Sequence, residues 1–462
     1  MLNKAKSFIP NFLFNWYHFF LALLGAVLYR FPSKRLIVIG VTGTNGKSTV
    51  VHLTDKILEE AGHRVAALSS IRFKIGNKER QNILKMTMPG RFRIQKFLRE
   101  AVNNGCKYAV IEVTSEGIKQ HRHRFIDFDV AVLTNLTPEH IESHGSFEKY
   151  REAKAKLFQS LANSKHKILN PKQISNSKCK IPNRKVLIIN LDDESADYFL
   201  KFPAKEKYGY KISSKFKAQS SNLQPKVQNL LYPENCQINQ NGISFTINST
   251  QFNLNLLGEF NIYNSLAAIC VGLSQGISLE ICKKALEKVK GIPGRMEEVI
   301  KEPFRVIVDY AHTPDALQKV YKAIRNFKVQ TQSSKLICVL GACGGGRDKW
   351  KRPKMGEIAA EYCNRVILTN EDPYDENPEK ILDEIFSGFS SSKRKTQNSK
   401  LYKILDRGEA IKKALTLAES DDVVIITGKG CEPWMCVAKG EKIPWDDRKV
   451  VKEKFYELKT KY

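Results

Sequence analysis

Gly43-Thr44-Asn45-Gly46-Lys47-Ser48-Thr49 has the residue types and order that cradle a polyphosphate. The glycines let backbone N–H groups turn toward an anion, and the helix start that follows adds its positive end. Lys47 reaches the outer phosphates, and the Ser48 hydroxyl can ligate Mg²⁺. Val41 stands where the first glycine of a strict GxxxxGK[ST] loop falls, so the loop is a variant of that pattern. Glu112, in Glu112-Val113-Thr114-Ser115, closes an apolar run beginning at Tyr108. A carboxylate at the C-terminal end of a parallel strand beside a phosphate loop is placed to hold Mg²⁺, directly or through water. A third run, Thr134-Asn135-Leu136-Thr137-Pro138-Glu139-His140, follows another apolar strand, and His140 is a candidate ligand for a second metal. Singly, each is an ordinary loop residue; three strand ends of one sheet bring their polar groups to one edge.

The elements that must position these groups are legible from periodicity. Leu36–Ile39, Val65–Leu68, Tyr108–Glu112 and Val130–Leu133 predict strands, with amphipathic helices such as Arg93–Asn104 between them, the signature of a parallel α/β sheet. Phe202–Leu256 is richer in Lys, Ser, Asn and Gln and predicts a small antiparallel subdomain with long polar loops, after which a helical pattern resumes over Asn261–Leu273. Gly291-Ile292-Pro293-Gly294 marks a boundary. Beyond it Phe304–Val308, Leu336–Leu340, Arg365–Leu368 and Val423–Ile426 predict a second, Rossmann-like α/β unit, with Ser387–Lys403 as an exposed loop. The expected division is a short apolar segment over 1–34, a central P-loop ATPase domain over 35–292 and a C-terminal domain over 293–462.

Composition narrows the classes. The 462 residues are 42% hydrophobic and 27% charged, ordinary for a globular chain, but the formal net charge is +27. Such a charge suits nucleic acid, an anionic membrane surface or an anionic small substrate. Without an arginine-rich arm, zinc-finger spacing or an RNP-like aromatic pattern, no nucleic-acid partner is expected. The ten cysteines form no CxxC pair and fit a reducing cytoplasm. Phe12 to Phe31 is apolar and aromatic over about twenty residues, a length that permits a span. Asn15, His18 and Arg30 weaken that reading. Trp16, Tyr17 and Tyr29 suit an interfacial helix in peripheral contact with a membrane, and a helix packed on the following domain suits the run equally.

The chain resembles the Mur ligases, ATP-dependent amide-bond ligases of peptidoglycan precursor synthesis, and among them the members that add the third peptide residue. The likeness rests on GVTGTNGKST at Gly40, EVTSEGIKQHR at Glu112, TNLTPEHIESHGSFEKYREAKAKLF at Thr134 and GEFNIYNSLAA at Gly258. GRMEEV at Gly294, DYAHTPDAL at Asp309, GGGRDKWKRPKMG at Gly344 and GKGCE at Gly428 continue it in collinear order. The resemblance implies ATP and Mg²⁺ as cofactors, and a UDP-muramoyl peptide and an amino acid as substrates; a monomer is expected. It implies that Lys47 and Ser48 serve the phosphates and Mg²⁺, that Glu112 and His140 are metal ligands, and that Lys154 is carbamylated to hold the second Mg²⁺. Asn264 would contact adenine; Arg295, Asp309 and His312 would close onto the nucleotide. Thr87, Thr114, Gln120 and Arg122 would hold the muramoyl peptide, and Arg347, Gly428 and Glu432 the incoming amino acid.

The pattern is broken in three places. The third-residue members carry a full N-terminal uridine-binding domain, whereas about thirty-five residues precede the first strand here, so the uridine end is held differently or the donor is carried on a membrane lipid. Tyr374, in Thr369-Asn370-Glu371-Asp372-Pro373-Tyr374, stands where diaminopimelate-adding members place an arginine. Tyrosine cannot form that bidentate ion pair, while Glu371 and Asp372 suit a distal ammonium, which points to lysine or another diamino acid, with Arg347 and Glu432 still compatible with diaminopimelate. The family's Ser-His pair after the metal glutamate is here Ser115-Glu116. The competing readings are a cyanophycin- or folylpolyglutamate-type ligase and, outside the ligases, a nucleic-acid-binding ATPase.

Overall fold

The computed structural model describes residues 11–84, 86–162, 185–212, 227–327, 334–393, 396 and 399–459. Nine strands form the larger sheet: β1 Ile37–Thr42, β2 Val65–Leu68, β3 Arg72–Ile75, β4 Lys78–Gln81, β5 Tyr108–Glu112, β6 Val130–Leu133, β7 Val186–Asn190, β8 Glu206–Tyr210 and β9 Asn229–Leu231. Their order is β4-β3-β2-β5-β1-β6-β7-β8-β9. All pairings are parallel except the β2–β3–β4 meander. The β-branched runs of β1, β5 and β6 are buried on both faces, as a helix-covered parallel sheet requires. Helices Lys47–Glu60 and Phe260–Ser274 cover one face, and Arg91–Asn103 and Phe147–Ala162 the other. Register pairs Val41 with Glu112 and Thr42 with Leu133, so the ends of β1, β5 and β6 meet at one edge.

The second sheet comprises β13 Glu297–Ile300, β14 Arg305–Asp309, β15 Leu336–Leu340, β16 Arg365–Leu368, β17 Lys400–Lys403 and β18 Val423–Thr427. Its order is β13-β14-β18-β15-β16-β17, with β13 the antiparallel edge. Between the sheets lies a meander of β10 Glu234–Asn239, β11 Gly242–Ile247 and β12 Thr250–Leu254, and near the C-terminus a hairpin of β19 Trp434–Cys436 and β20 Lys442–Pro444.

Two expectations are corrected. Only β10–β12 make the antiparallel subdomain read over Phe202–Leu256; β8 and β9 extend the main sheet in parallel, because Tyr208 and Tyr210 offer it apolar faces. Residues 213–226 of that stretch lie outside the described residues. Ser387–Lys403 is not simply a loop: helix Pro378–Ser391 runs into it, burying Ile385 and Phe389, and β17 closes it on the sheet. Residues 394–395 and 397–398 lie outside the described residues. At the other end, Asn11–Leu28 is a helix packed on Arg91–Asn103. Among the described residues, no helix is long and apolar enough to cross a membrane.

Candidate active site

The phosphate loop is shaped by its glycines and tied to the β6 end. Gly43 and Gly46 hold φ of +150° and +82°, and a Cβ there would strike Thr134 Oγ1 and Asn264 Oδ1 respectively. Thr44 N donates to Asn135 O at 2.8 Å, Asn45 N to Asn135 Oδ1 at 2.9 Å and Thr137 N to Thr44 Oγ1 at 3.0 Å. Lys47 Nζ donates back to Thr44 O at 2.7 Å and lies 4.0 Å from Glu112 Oε1; burial lowers its pKa. Thr49 is buried in the first turn of the helix, and Asn264 Nδ2 donates to Asn261 Oδ1 at 2.9 Å on Phe260–Ser274.

Ser48 Oγ donates to Glu112 Oε2 at 2.7 Å, and Ser70 N reaches the same oxygen at 3.0 Å. A hydroxyl and a carboxylate at a phosphate loop are the hard oxygen donors Mg²⁺ takes alongside substrate phosphates, so the residues fit the ion. Among the described residues, no three His, Cys, Asp or Glu side chains form a ready-made cation cage. Mg²⁺ would therefore depend on the phosphates for the rest of its shell. Lys154 Nζ, 1% exposed as a residue, donates to Gly43 O at 2.7 Å and sits 4.6 Å over the Tyr150 ring. Burial, with Lys47 nearby, pushes its pKa well below the ordinary lysine value. His140, in a left-handed turn at φ +57°, is kept neutral by burial, its pKa pushed down to about 2.

The second sheet faces this edge. Asn45 Nδ2 donates to Asp315 Oδ2 at 2.9 Å, and Lys351 Nζ to Glu139 Oε1 at 2.8 Å. Asp348 accepts from the N–H groups of Ile141 and Glu142, each at 3.1 Å. Arg295 lies 4.3 Å over the Tyr310 ring and donates to Ser70 Oγ at 3.2 Å. Asp309, its pKa raised by burial, accepts from Met296 N and Ala311 N at 2.7 and 2.6 Å, which ties the segment carrying Arg295 to the one carrying His312. His312 Nδ1 lies 2.8 Å from Tyr310 O, and burial pushes its pKa down to about 3.

At the far wall, Lys429 is fully buried and donates to Asp372 at 2.9 Å, Glu432 Oε2 at 2.8 Å and Trp434 O at 2.6 Å. Cys436 N also donates to Asp372, so this carboxylate is already engaged, and Glu432 Oε1 accepts from Tyr310 OH at 3.0 Å. Glu371 differs: one oxygen lies 3.0 Å from Cys343 Sγ, while the buried Oε2 has no hydrogen-bond partner, and burial raises its pKa. That oxygen abuts Gly428 (φ +107°), where a Cβ would strike it. Arg347 is exposed at the rim, and Tyr374 adopts φ +51°.

At the opposite end, Thr114 caps helix Ser115–Lys119 by accepting from Gly117 N at 3.1 Å. Arg122 Nη2 donates to Gln120 Oε1 at 2.6 Å, and its other arm holds Met88 O beside Thr87. Glu116 accepts from Ser143 Oγ at 2.5 Å and lies 3.5 Å from His144 Nε2.

Every residue given a nucleotide, metal or substrate role from the sequence lines one cleft of about 1210 Å³ between the two sheets. Glu139, Asp315, Lys351 and Lys429 were not among them. Lys351 and Lys429 lie inside motifs already quoted, but Glu139, the partner of Lys351, and Asp372, one partner of Lys429, are far away in the chain.

The family pattern described as Mur ligase middle domain matches residues 41–272, and that described as Mur ligase, glutamate ligase domain matches 294–430. Over 438 residues the chain is 37% identical to the UDP-N-acetylmuramoyl-L-alanyl-D-glutamate--2,6-diaminopimelate ligase of Syntrophomonas wolfei subsp. wolfei, covering 94% of this chain and 81% of that one. It is 34% identical to the UDP-N-acetylmuramyl-tripeptide synthetase of Roseiflexus sp., covering 95% and 82%. A solved structure of a UDP-N-acetylmuramoyl-L-alanyl-D-glutamate--2,6-diaminopimelate ligase superposes with a TM-score of 0.57 at 30% identity, over 92% of this chain and 79% of that one.

Proposed function

Because the chain belongs to the Mur ligase family, we propose that its cleft joins a diamino acid to UDP-N-acetylmuramoyl-L-alanyl-D-glutamate, driven by ATP. The chain is an ATP-dependent carbon–nitrogen ligase of peptidoglycan precursor synthesis. The observation that carries the substrate reading is the convergence in one cleft of the Ser48–Glu112 pair, the buried Lys154 and the Arg347–Glu371 wall. Phosphate release that needs donor and diamino acid together tests it.

A carboxylate is a poor electrophile, so the terminal carboxylate of the donor first attacks the γ-phosphoryl group of ATP, forming an acyl phosphate and releasing ADP. Lys47 and the loop N–H groups offset charge on the transferring group. Ser48 and Glu112 would hold Mg²⁺, and His140 with carbamylated Lys154 a second ion, and these ions would supply Lewis-acid charge when bound. Lys154 suits carbamylation because burial favours its neutral amine, the form that adds CO₂ and releases a proton. The amino group of the incoming residue then attacks the acyl carbon, and phosphate leaves. Asn264 contacts the adenine, and Arg295 and His312 close over the nucleotide. The contacts of Asp348, Lys351 and Asp315 across the cleft hold the two halves at reacting distance and exclude water.

Thr87, Thr114, Gln120 and Arg122 hold the muramoyl peptide, and Arg347, Gly428 and Glu432 the amino acid. The name of the Syntrophomonas wolfei relative specifies diaminopimelate. Here Tyr374 lacks the guanidinium that would grip a distal carboxylate, and the unpartnered Glu371 oxygen suits a distal ammonium, which favours lysine. Residues 35–292 serve ATP and donor, and 293–462 the amino acid. We assign the enzyme to the cytoplasm, as a monomer, with residues 12–31 in peripheral contact with a membrane.

A further inference from the structure

Helix Asn11–Leu28 has two unlike sides. At about 100° per residue, Trp16, Tyr17, Phe20, Leu24, Val27 and Leu28 fall in one stripe about 120° wide. Each is more than half exposed, from 53% at Val27 to 62% at Leu28. Ala22, Gly25 and Ala26 fall on the opposite side and are buried against Arg91–Asn103, where a Cβ on Gly25 would lie 3.5 Å from Phe92 Cα. Packing on the domain accounts for the small residues and leaves the aromatic stripe open. A contiguous apolar stripe of this kind on a folded chain marks a contact surface.

Charge identifies the partner. No Asp or Glu precedes Asp55, while Lys4, Lys6, Arg30, Lys34 and Arg35 all precede the first strand. Arg30, Lys34 and Arg35 are exposed, as are Arg93 and Lys96 on the supporting helix. A second copy seated on this face would bring like charges together, whereas an anionic lipid surface complements them. Trp16 and Tyr17 are the residue types that favour the headgroup region.

We propose that this stripe docks the enzyme on an anionic lipid bilayer, with the helix lying in the plane of the interface. The inference rests on the peripheral contact proposed above and adds the face, the lipid charge and the orientation. Arg91 donates to Gln120 O at 3.0 Å and contacts His18, while Phe19 packs against Phe125 at 5.3 Å. The helix therefore sits directly behind the segment bearing Gln120 and Arg122, and docking holds the donor end of the cleft near the bilayer.

Sedimentation of the full chain with phosphatidylcholine vesicles, with and without phosphatidylglycerol, tests this. The full chain is expected to pellet with the anionic vesicles and to be released by salt. The variant Trp16→Ser/Phe20→Ser/Leu24→Ser is expected to lose roughly tenfold in partitioning while keeping its melting temperature and its ligase activity on soluble substrates. No pelleting with either vesicle would overturn both docking and peripheral contact. Equal pelleting with neutral vesicles would leave peripheral contact standing and overturn the anionic docking. A concentration-dependent dimer abolished by the triple variant would assign the stripe to a second copy and overturn the proposal.

Discussion

Lys351 and Glu139 form a charge pair at 2.8 Å with both side chains almost fully buried, although they are far apart in the chain, one opening a helix beside the second sheet and the other in the loop after β6. A buried ion pair contributes little net stability against an apolar substitute, but removing one member leaves an uncompensated charge. Lys351→Met should therefore destabilise the described arrangement by about 3–5 kcal/mol, measured by urea denaturation. Glu139→Leu/Lys351→Met should recover most of that loss.

Lys154 is expected to act through a carbamate rather than as a cation. Lys154→Ala should lower kcat by roughly 10²–10³-fold, the scale of losing one electrostatic stabiliser of a developing charge. The unaltered enzyme should lose activity in CO₂-depleted buffer and regain it with bicarbonate, whereas the variant should respond to neither. Steady-state rates across a bicarbonate series check this.

Tyr374 and Glu371 should set amino-acid choice. Tyr374→Arg supplies a bidentate partner for a distal carboxylate, so the ratio of kcat/KM for diaminopimelate over lysine should rise by roughly tenfold or more. Glu371→Gln removes the charge facing a distal ammonium and should lower kcat/KM for lysine by about 10–100-fold. Competition between the two amino acids, read by product mass, distinguishes the outcomes.

Acid should destabilise the fold through buried histidines. Burial pushes the pKa of His52 and His123 down to about 3. The unfolded chain takes up these protons near pH 6.5 and the fold only near 3, so between those values the unfolded state binds more protons. Stability is then fully present above pH 6.5 and falls as pH drops, by about 1.4 kcal/mol per pH unit per histidine. Urea midpoints at neutral and mildly acidic pH should show this slope, and His52→Gln should flatten it by one histidine's share.

Much of the site is legible in the chain because phosphate binding is local. The loop at Gly43–Thr49, the carboxylate of Glu112 and the polar run at Thr134–His140 each follow an apolar strand, and parallel topology brings such strand ends to one edge. The contacts that join the halves are not local: Asn45 with Asp315, Glu139 with Lys351, and Ile141 with Asp348 carry no spacing signal. Asp372 illustrates the limit in another way. As a type it suits a substrate ammonium, yet Lys429, within the Gly428–Glu432 motif, engages it in the fold. β8 and β17 were hidden because lysine and glutamate interrupt their apolar alternation.

The most direct test of the central claim is phosphate release from ATP and Mg²⁺ in the presence of UDP-N-acetylmuramoyl-L-alanyl-D-glutamate, with and without lysine or diaminopimelate. The expected result is release that needs both donor and diamino acid, with one tripeptide product formed per phosphate and little turnover when either is omitted. Release stimulated by DNA or RNA alone, or no turnover with either amino acid, would contradict it.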